Sequence, residues 1–375
     1  MEPKRELDEL EPPCLQATVL AGHHARRAPW PGGGSASPMS AARALPCVLR
    51  ASFDGVWRDD VAAFFAGRSD EQIAALVEAL TLEQLGQRVV GATFASKSVG
   101  VVFGLELASG ESVVLKLFDR AQSKASLATI HRCIDRLVAA GFPATPGRSA
   151  PFATSDGILG AFYARLDGAQ RDGHEPPVRR ELARSLAELT ATLAAEPSHG
   201  LPPAPTRGTL LWPPPHRSFL TLEATTSEAE AIDACGRRAQ QAVKACSLPL
   251  LPAHFDWGVK NARFEGDRIV AVYDWDSLVA ASEAELVGRA SVQFTAQWDF
   301  PARLTPTPAE EAAFVADYES ARGRPFSDVE RQVLHAAASY SVAQIARLEL
   351  AARTERDDGF LAMQRARAPS ALRAP

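Results

Sequence analysis

The chain has 375 residues, 46% apolar and 23% charged, with 40 basic against 45 acidic side chains and a formal charge of −5. That balance belongs to a folded globular chain with room for two domains or one two-lobed domain. It lacks the basic surplus of a nucleic-acid binder, and no apolar run approaches the ~20 residues that a membrane helix needs.

The first thirty residues mix charges without a continuous apolar segment, so no secretory signal is expected. Cys14, Cys47, Cys133, Cys235 and Cys246 are scattered and form no CxxC pair, the usage of a reducing, cytoplasmic compartment. His23 and His24 are adjacent in a Gly/Pro-rich stretch without partner ligands, which argues against a zinc site. Only six of the 40 basic residues are lysines, at 4, 97, 116, 124, 244 and 260. In so Arg-biased a chain, a Lys in a special place carries information.

Residues 1–45 hold APWPGGGSASP and little apolar periodicity, and read as a disordered leader. From Val48 to about Leu85 the pattern is helical: Phe53, Val56, Val61, Phe64 and Phe65 suit one face, and Asp70 is positioned to cap EQIAALVEAL. At Val89 the character changes to β-branched near-alternation. Ser109-Gly110-Glu111 separates VVFGLEL from SVVLKLF as a hairpin turn. A helix follows from Ser123 to Ala140, ended by Gly141 and Pro143, then strands near 148–154 and 158–166. Beyond Pro177 the chain is mainly helical, at 179–195, 227–244, 308–323 and 327–352. A proline-dense loop at 201–215 and a strand–loop–hairpin island at 248–278 interrupt the helices. Strands gathered early and helices late disfavour a doubly wound sheet.

The chemistry concentrates in His254-Phe-Asp256-Trp-Gly-Val-Lys260-Asn261, followed after a hairpin by Tyr273-Asp274-Trp275-Asp276. Asp256 and Asn261 share one loop, and the hairpin between them and Asp274 folds the last carboxylate back beside the first. An Asn and an Asp offering hard oxygens suit Mg²⁺, which keeps waters and phosphate oxygens in its shell. A third carboxylate not spent on metal can accept a proton from an attacking hydroxyl. This is the division of labour in kinase phosphoryl transfer.

HFDWGVKN with YDWD resembles the catalytic core of the aminoglycoside phosphotransferase/choline kinase-like family, a branch of the protein-kinase-like fold. The resemblance extends loosely over residues 89–300 and rests on those two motifs. It implies an α+β, two-lobed fold, with a nucleotide-binding N-lobe at 46–168, a helical C-lobe at 169–366 and a frayed tail at 367–375. It further implies Asp256 as catalytic base, Asn261 and Asp274 as metal ligands, and His254 as a brace for the loop. ATP and Mg²⁺ are the implied cofactors, and a small molecule with a hydroxyl group the implied acceptor.

Lys116 lies in VVLKLF with apolar neighbours on both sides, where a charge without a counter-ion is expensive. In a kinase-like β-lobe it would reach the α- and β-phosphates; as an edge-strand residue it would point to solvent. Gly91-x₄-Ser96-Lys97-Ser98 is one residue short of a P-loop, but strand follows where a P-loop must open a helix. In the resembled family this stretch is the hairpin loop over the nucleotide phosphates, which makes Ser96, Lys97 and Ser98 candidate ATP contacts. Lys260, four residues after Asp256, is a candidate to meet the transferring phosphoryl group.

The chain departs from the family at one point. The family pairs the strand lysine with a Glu on the following helix, but there is no Glu between Glu111 and Glu175, and that helix offers only Asp135, near its end. The intact Asp256, Asn261 and Asp274 favour a small-molecule kinase. The missing Glu favours the alternative, a catalytically weak nucleotide-binding module acting through a partner. For an acceptor, Asp276, Glu283, Glu285, Asp299, Asp317 and Glu319 are candidate contacts for a cationic sugar, and Trp257, Trp275 and Trp298 for stacking. Neither the acceptor nor a choice between monomer and homodimer is encoded in these motifs.

Overall fold

The computed structural model describes residues 43–53, 55–97, 99–214, 220–222 and 226–367; the expected leader (to residue 42), Ser98 and the end of the tail lie outside them. Three helices come first: α1 (Leu45–Ser52), α2 (Gly55–Phe64) and α3 (Asp70–Leu85). The cap of α3 is Ser69 rather than Asp70: the Ser69 hydroxyl accepts from the Gln72 amide while the Gln72 side chain reaches back, a reciprocal capping box.

Then come β1 (Val89–Lys97), β2 (Val101–Leu107), β3 (Ser112–Leu117), α4 (Lys124–Ala139), β4 (Phe152–Ala153) and β5 (Leu159–Ala164). The strands form one antiparallel sheet in the order β1-β2-β3-β5-β4. The expected strand at 148–154 contracts to two residues. Pro146 and Pro151 cannot donate to a ladder, and the Ser149 hydroxyl accepts the Phe162 amide in place of a carbonyl. One face of the sheet, with Phe103, Leu105, Leu115 and Phe162, is packed under Leu49, Phe65 and Val77 of the leading helices. The other face is left to line a cleft.

The larger half holds α5 (Pro176–Leu193), α6 (Ser227–Lys244), β6 (Leu251–His254), β7 (Ala262–Glu265), β8 (Arg268–Val272), β9 (Leu278–Ala281), α7 (Glu283–Gln293), α8 (Pro308–Arg322), α9 (Asp328–Ala352) and α10 (Phe360–Arg367). Helix α7 had no counterpart in the apolar periodicity, because it is buried nearly all round, from Ala284 through Leu286 and Val287 to Ala290. Its Ser282–Glu285 capping box is its only clear signal in the sequence. β7 pairs with β8 and β6 with β9, two short ribbons beneath the sheet. Below them, Asp233 of α6 binds the Trp212 indole at 2.8 Å and the Arg347 guanidinium of α9 at 3.2 Å, tying the proline-dense loop to the helices. The arrangement is the two-lobed α+β one, with the cleft between sheet and ribbons. No helix among the described residues is long and apolar enough to cross a membrane.

Candidate active site

Alternation along β3 decides where Lys116 points. Val113, Leu115 and Leu117 are buried toward the leading helices, so Val114 and Lys116 face the cleft. Val102 of β2 and Ala161 of β5 flank Lys116 in the ladder. Its ammonium meets two carboxylates from the other lobe, Asp274 Oδ1 at 2.8 Å and Asp276 Oδ1. Burial disfavours the charged amine, but the two carboxylates outweigh it and hold the Lys116 pKa above its ordinary value. The solvent-facing alternative does not apply.

The hairpin geometry delivers those carboxylates. Ala262 pairs with Val272, and the Tyr273 amide donates to the Asn261 carbonyl at 2.9 Å, so the chain leaves the hairpin beside the loop from which it entered. Asp274 then takes a left-handed conformation (φ 65°, ψ 44°), which Asp tolerates better than most residues. The following turn carries Asp276 to the same ammonium. Burial, with Asp274 alongside, pushes the Asp276 carboxyl up despite Lys116.

Asn261 lines the cleft, with Asp256 hydrogen-bonded to it. The Asn261 amide nitrogen donates to the Asp256 carbonyl at 2.8 Å and to Asp256 Oδ2 at 3.0 Å. With its nitrogen so used, the carboxamide offers its oxygen as the remaining ligand atom. Lys260 lies 2.8 Å from Asp256 Oδ2 and 5.1 Å over the Trp298 ring. Burial raises the Asp256 carboxyl, but Lys260 and the nearby Arg289 outweigh it, so the group sits below the usual carboxylate value. His254 is fully buried beneath: Nε2 donates to the Tyr273 carbonyl at 2.8 Å, and Nδ1 takes the Ser277 hydroxyl at 3.0 Å. Burial holds its pKa below 6.5, keeping the ring neutral as these two bonds require. It couples the Asp256 loop to the turn that carries Asp274 and Asp276.

Lys116, Lys260, Asn261, Asp274, Asp276 and Ser96 all line one cleft. Among the described residues no three His, Cys, Asp or Glu side chains form a self-contained metal cage. The donor set is one carboxylate and one carboxamide, which fits Mg²⁺ sharing its shell with phosphate oxygens and water. A family model described as the phosphotransferase enzyme family matches residues 101–328. The chain belongs to this family.

No curated protein matches the phosphotransferase in sequence. Its fold is similar to that of an amicoumacin kinase solved with AMP-PNP, Ca²⁺ and Ami, with a TM-score of 0.58 at 14% identity over 82% of this chain and 93% of that one. The GDP and kanamycin complex of APH(2")-IIia gives a TM-score of 0.51 at 12% identity over 77% and 95%. These likenesses establish the kinase-like fold, and the family membership makes the chain a small-molecule kinase.

The remaining expected residues are sorted by packing. On β1, Phe94 and Ser96 face the cleft, whereas Lys97 does not line it; its ammonium donates to the Val99 carbonyl at 3.1 Å and sits 5.6 Å over the Phe64 ring. Ser98 lies outside the described residues. Of the six carboxylates considered for an acceptor, only Asp276 and Asp299 line the cleft. Glu285 is buried against Thr206 and Arg207, and Glu283 binds Tyr318 and Arg322. Asp317 and Glu319 are taken by Arg179 and Arg331. Trp257 and Trp275 are buried packing residues whose indoles donate to the Leu182 and Val272 carbonyls. Trp275 still borders the cleft, as does Trp298, whereas Trp257 does not.

Sequence reasoning passed over Arg289, whose guanidinium lies 4.9 Å from the Phe255 ring and donates to the Phe255 carbonyl next to Asp256. It also passed over Arg263, which lines the cleft 5.7 Å from the Tyr273 ring. Arg263 is two residues beyond Asn261 and was within reach of motif reasoning. Arg289 gave no signal, being 33 residues beyond Asp256 on a helix that periodicity did not reveal.

Proposed function

We propose that this phosphotransferase moves the γ-phosphoryl group of ATP to a hydroxyl of a small molecule of aminoglycoside, amino-alcohol or sugar type. The observation that carries the reading is the convergence of Lys116, Asp274 and Asn261 on one cleft from two lobes, with Asp256 hydrogen-bonded to Asn261 beside it. Lys116 binds the α- and β-phosphates as a fixed cation. Asn261 and Asp274 would hold Mg²⁺, which neutralises charge developing on the phosphates when bound. Asp256 receives the acceptor hydroxyl. Its low pKa keeps it ionised at neutral pH, so it orients the nucleophile and takes its proton late, as a loose transition state requires. Lys260 holds Asp256 in that state and faces the path of the phosphoryl group. Trp298 and Asp299 form an aromatic and anionic wall suited to a polyhydroxylated or cationic acceptor.

The rival reading drew on the missing helix Glu, and the two carboxylates on Lys116 remove much of its force. The test is a thermal shift with ATP, with and without Mg²⁺, on the natural chain and Asp274→Ala, followed by a screen of hydroxylated metabolites and aminoglycosides for ATP consumption. A metal-dependent shift in the natural chain, lost in the variant, supports the shared site. No shift in the natural chain rules out this reading and the weak-module reading together.

A further inference from the structure

Lys116 needs a partner that stays with it once Asp274 turns to metal. In the resembled family that partner is a Glu on the helix after the lysine strand, which α4 cannot supply. Its only carboxylate, Asp135, is exposed, and the buried side of α4 presents Leu127, Ile130 and Ile134. Half-buried His131 has its Nε2 3.0 Å from the hydroxyl of Tyr163, which lines the cleft.

We infer that Asp276, the last residue of the Tyr273-Asp274-Trp275-Asp276 turn, is the positioning residue for Lys116 and takes the place of the missing helix carboxylate. The inference rests on the reading of Lys116 as the phosphate lysine. Three observations support it. Asp276 contacts the ammonium directly, and both side chains are nearly buried, at 14% and 16% exposure, so the pair is shielded from competing water. Asp276 is set in a 3-10 turn closed by the Ser277 amide on the Asp274 carbonyl at 3.0 Å, and Trp275 between the two carboxylates is anchored by its indole on Val272. The turn also lies against α4, and its Trp275 shares one apolar cluster with Leu127, Ile130 and Ile134 of that helix. With a carboxylate on each side of the ammonium, occupation of Asp274 by metal leaves Lys116 held by Asp276 and aimed at the phosphates. The counter-charge that the resembled family is expected to draw from a helix of the same lobe comes here from a turn of the other lobe.

The test uses the full chain with Asp276→Asn, Lys116→Met and the double variant. Melting temperatures without nucleotide or metal come first: a coupled pair makes the double variant no less stable than the worse single one, whereas additive losses overturn the inference. Kinetics and ATP affinity come second. Asp276→Asn is expected to lower kcat by about a hundredfold, the order that a roughly 1 Å misplacement costs, with little change in ATP affinity and an unchanged Mg²⁺ concentration for half-maximal rate. If Asp276→Asn keeps the natural kcat while Lys116→Met is inactive, the positioning role is wrong and the lysine reading survives. If saturating Mg²⁺ restores the rate of Asp276→Asn, the residue is a metal ligand and the inference is overturned. If Lys116→Met itself retains full ATP affinity and turnover, the underlying reading of the lysine fails instead.

Discussion

Replacing Asp256 by Asn separates the proposed base from the rest of the site. The amide is nearly isosteric, and its oxygen can occupy the position of Oδ2, which now accepts from both Lys260 at 2.8 Å and Asn261 at 3.0 Å. The second Asn261 bond, to the Asp256 carbonyl at 2.8 Å, is untouched. What disappears is the negative charge beside Lys260. That pair keeps about a fifth of its surface exposed, so its loss costs about 1 kcal/mol, and the melting temperature should fall by no more than about 3 °C. Asp256 is not among the residues lining the nucleotide cleft, so ATP affinity should change by less than about threefold. Turnover is another matter. An amide cannot accept the hydroxyl proton, and loss of a positioned base costs about 10²–10⁴-fold in kcat. The assay is ATP consumption at saturating acceptor, with affinity followed separately by calorimetry. A variant that keeps more than about a tenth of the natural kcat with unchanged ATP affinity would refute the assignment, because that loss is smaller than removing a base can cause.

Two further outcomes follow from packing and titration. The folded-state pKa of His254 lies below the 6.5 of an unfolded chain, so its contribution to stability is intact above pH 6.5 and is lost as pH falls through the folded value. The slope is at most about 1.4 kcal/mol per pH unit, and urea melts of His254→Gln between pH 7.5 and 5 should be flatter than those of the natural chain. His131 is shifted the same way and leaves a residual slope; equal slopes in variant and natural chain would show that His254 titrates normally. Gly236→Ala gains about 1 kcal/mol of helix propensity in α6 but sets a Cβ 2.2 Å from the Trp212 ring. That ring is pinned by Asp233 and packed 5.2 Å from Tyr340, so a net loss of about 2 kcal/mol is expected, and a raised melting temperature would mean that the indole has room to retreat.

Much of the site was legible because its residues are close in sequence and joined by one hairpin. Asp256, Asn261 and Asp274 need only local turns and a two-strand ladder to meet, and local geometry follows from local sequence. Lys116 could be singled out because a charge in an apolar strand demands a partner, yet the identity of that partner was not legible. Asp276 was read as an acceptor contact, and only the closure of one lobe on the other brings it to an ammonium 160 positions earlier. Lys97 shows the same limit at short range, since one step along β1 separates a cleft-facing Ser96 from a side chain on Phe64.

From its residues alone the chain yields the order of its strands and helices and the hairpin that brings Asp256, Asn261 and Asp274 together, because alternation, capping and hairpin spacing are properties of short segments; the two-lobed α+β kinase fold was implied by the resemblance that those motifs carry. The tertiary structure decides which carboxylates remain for an acceptor. Glu283, Glu285, Asp317 and Glu319 looked alike on paper, and distant arginines and hydroxyls take up all four. Charge compensation across a folded molecule is a long-range property, and no stretch of sequence encodes it.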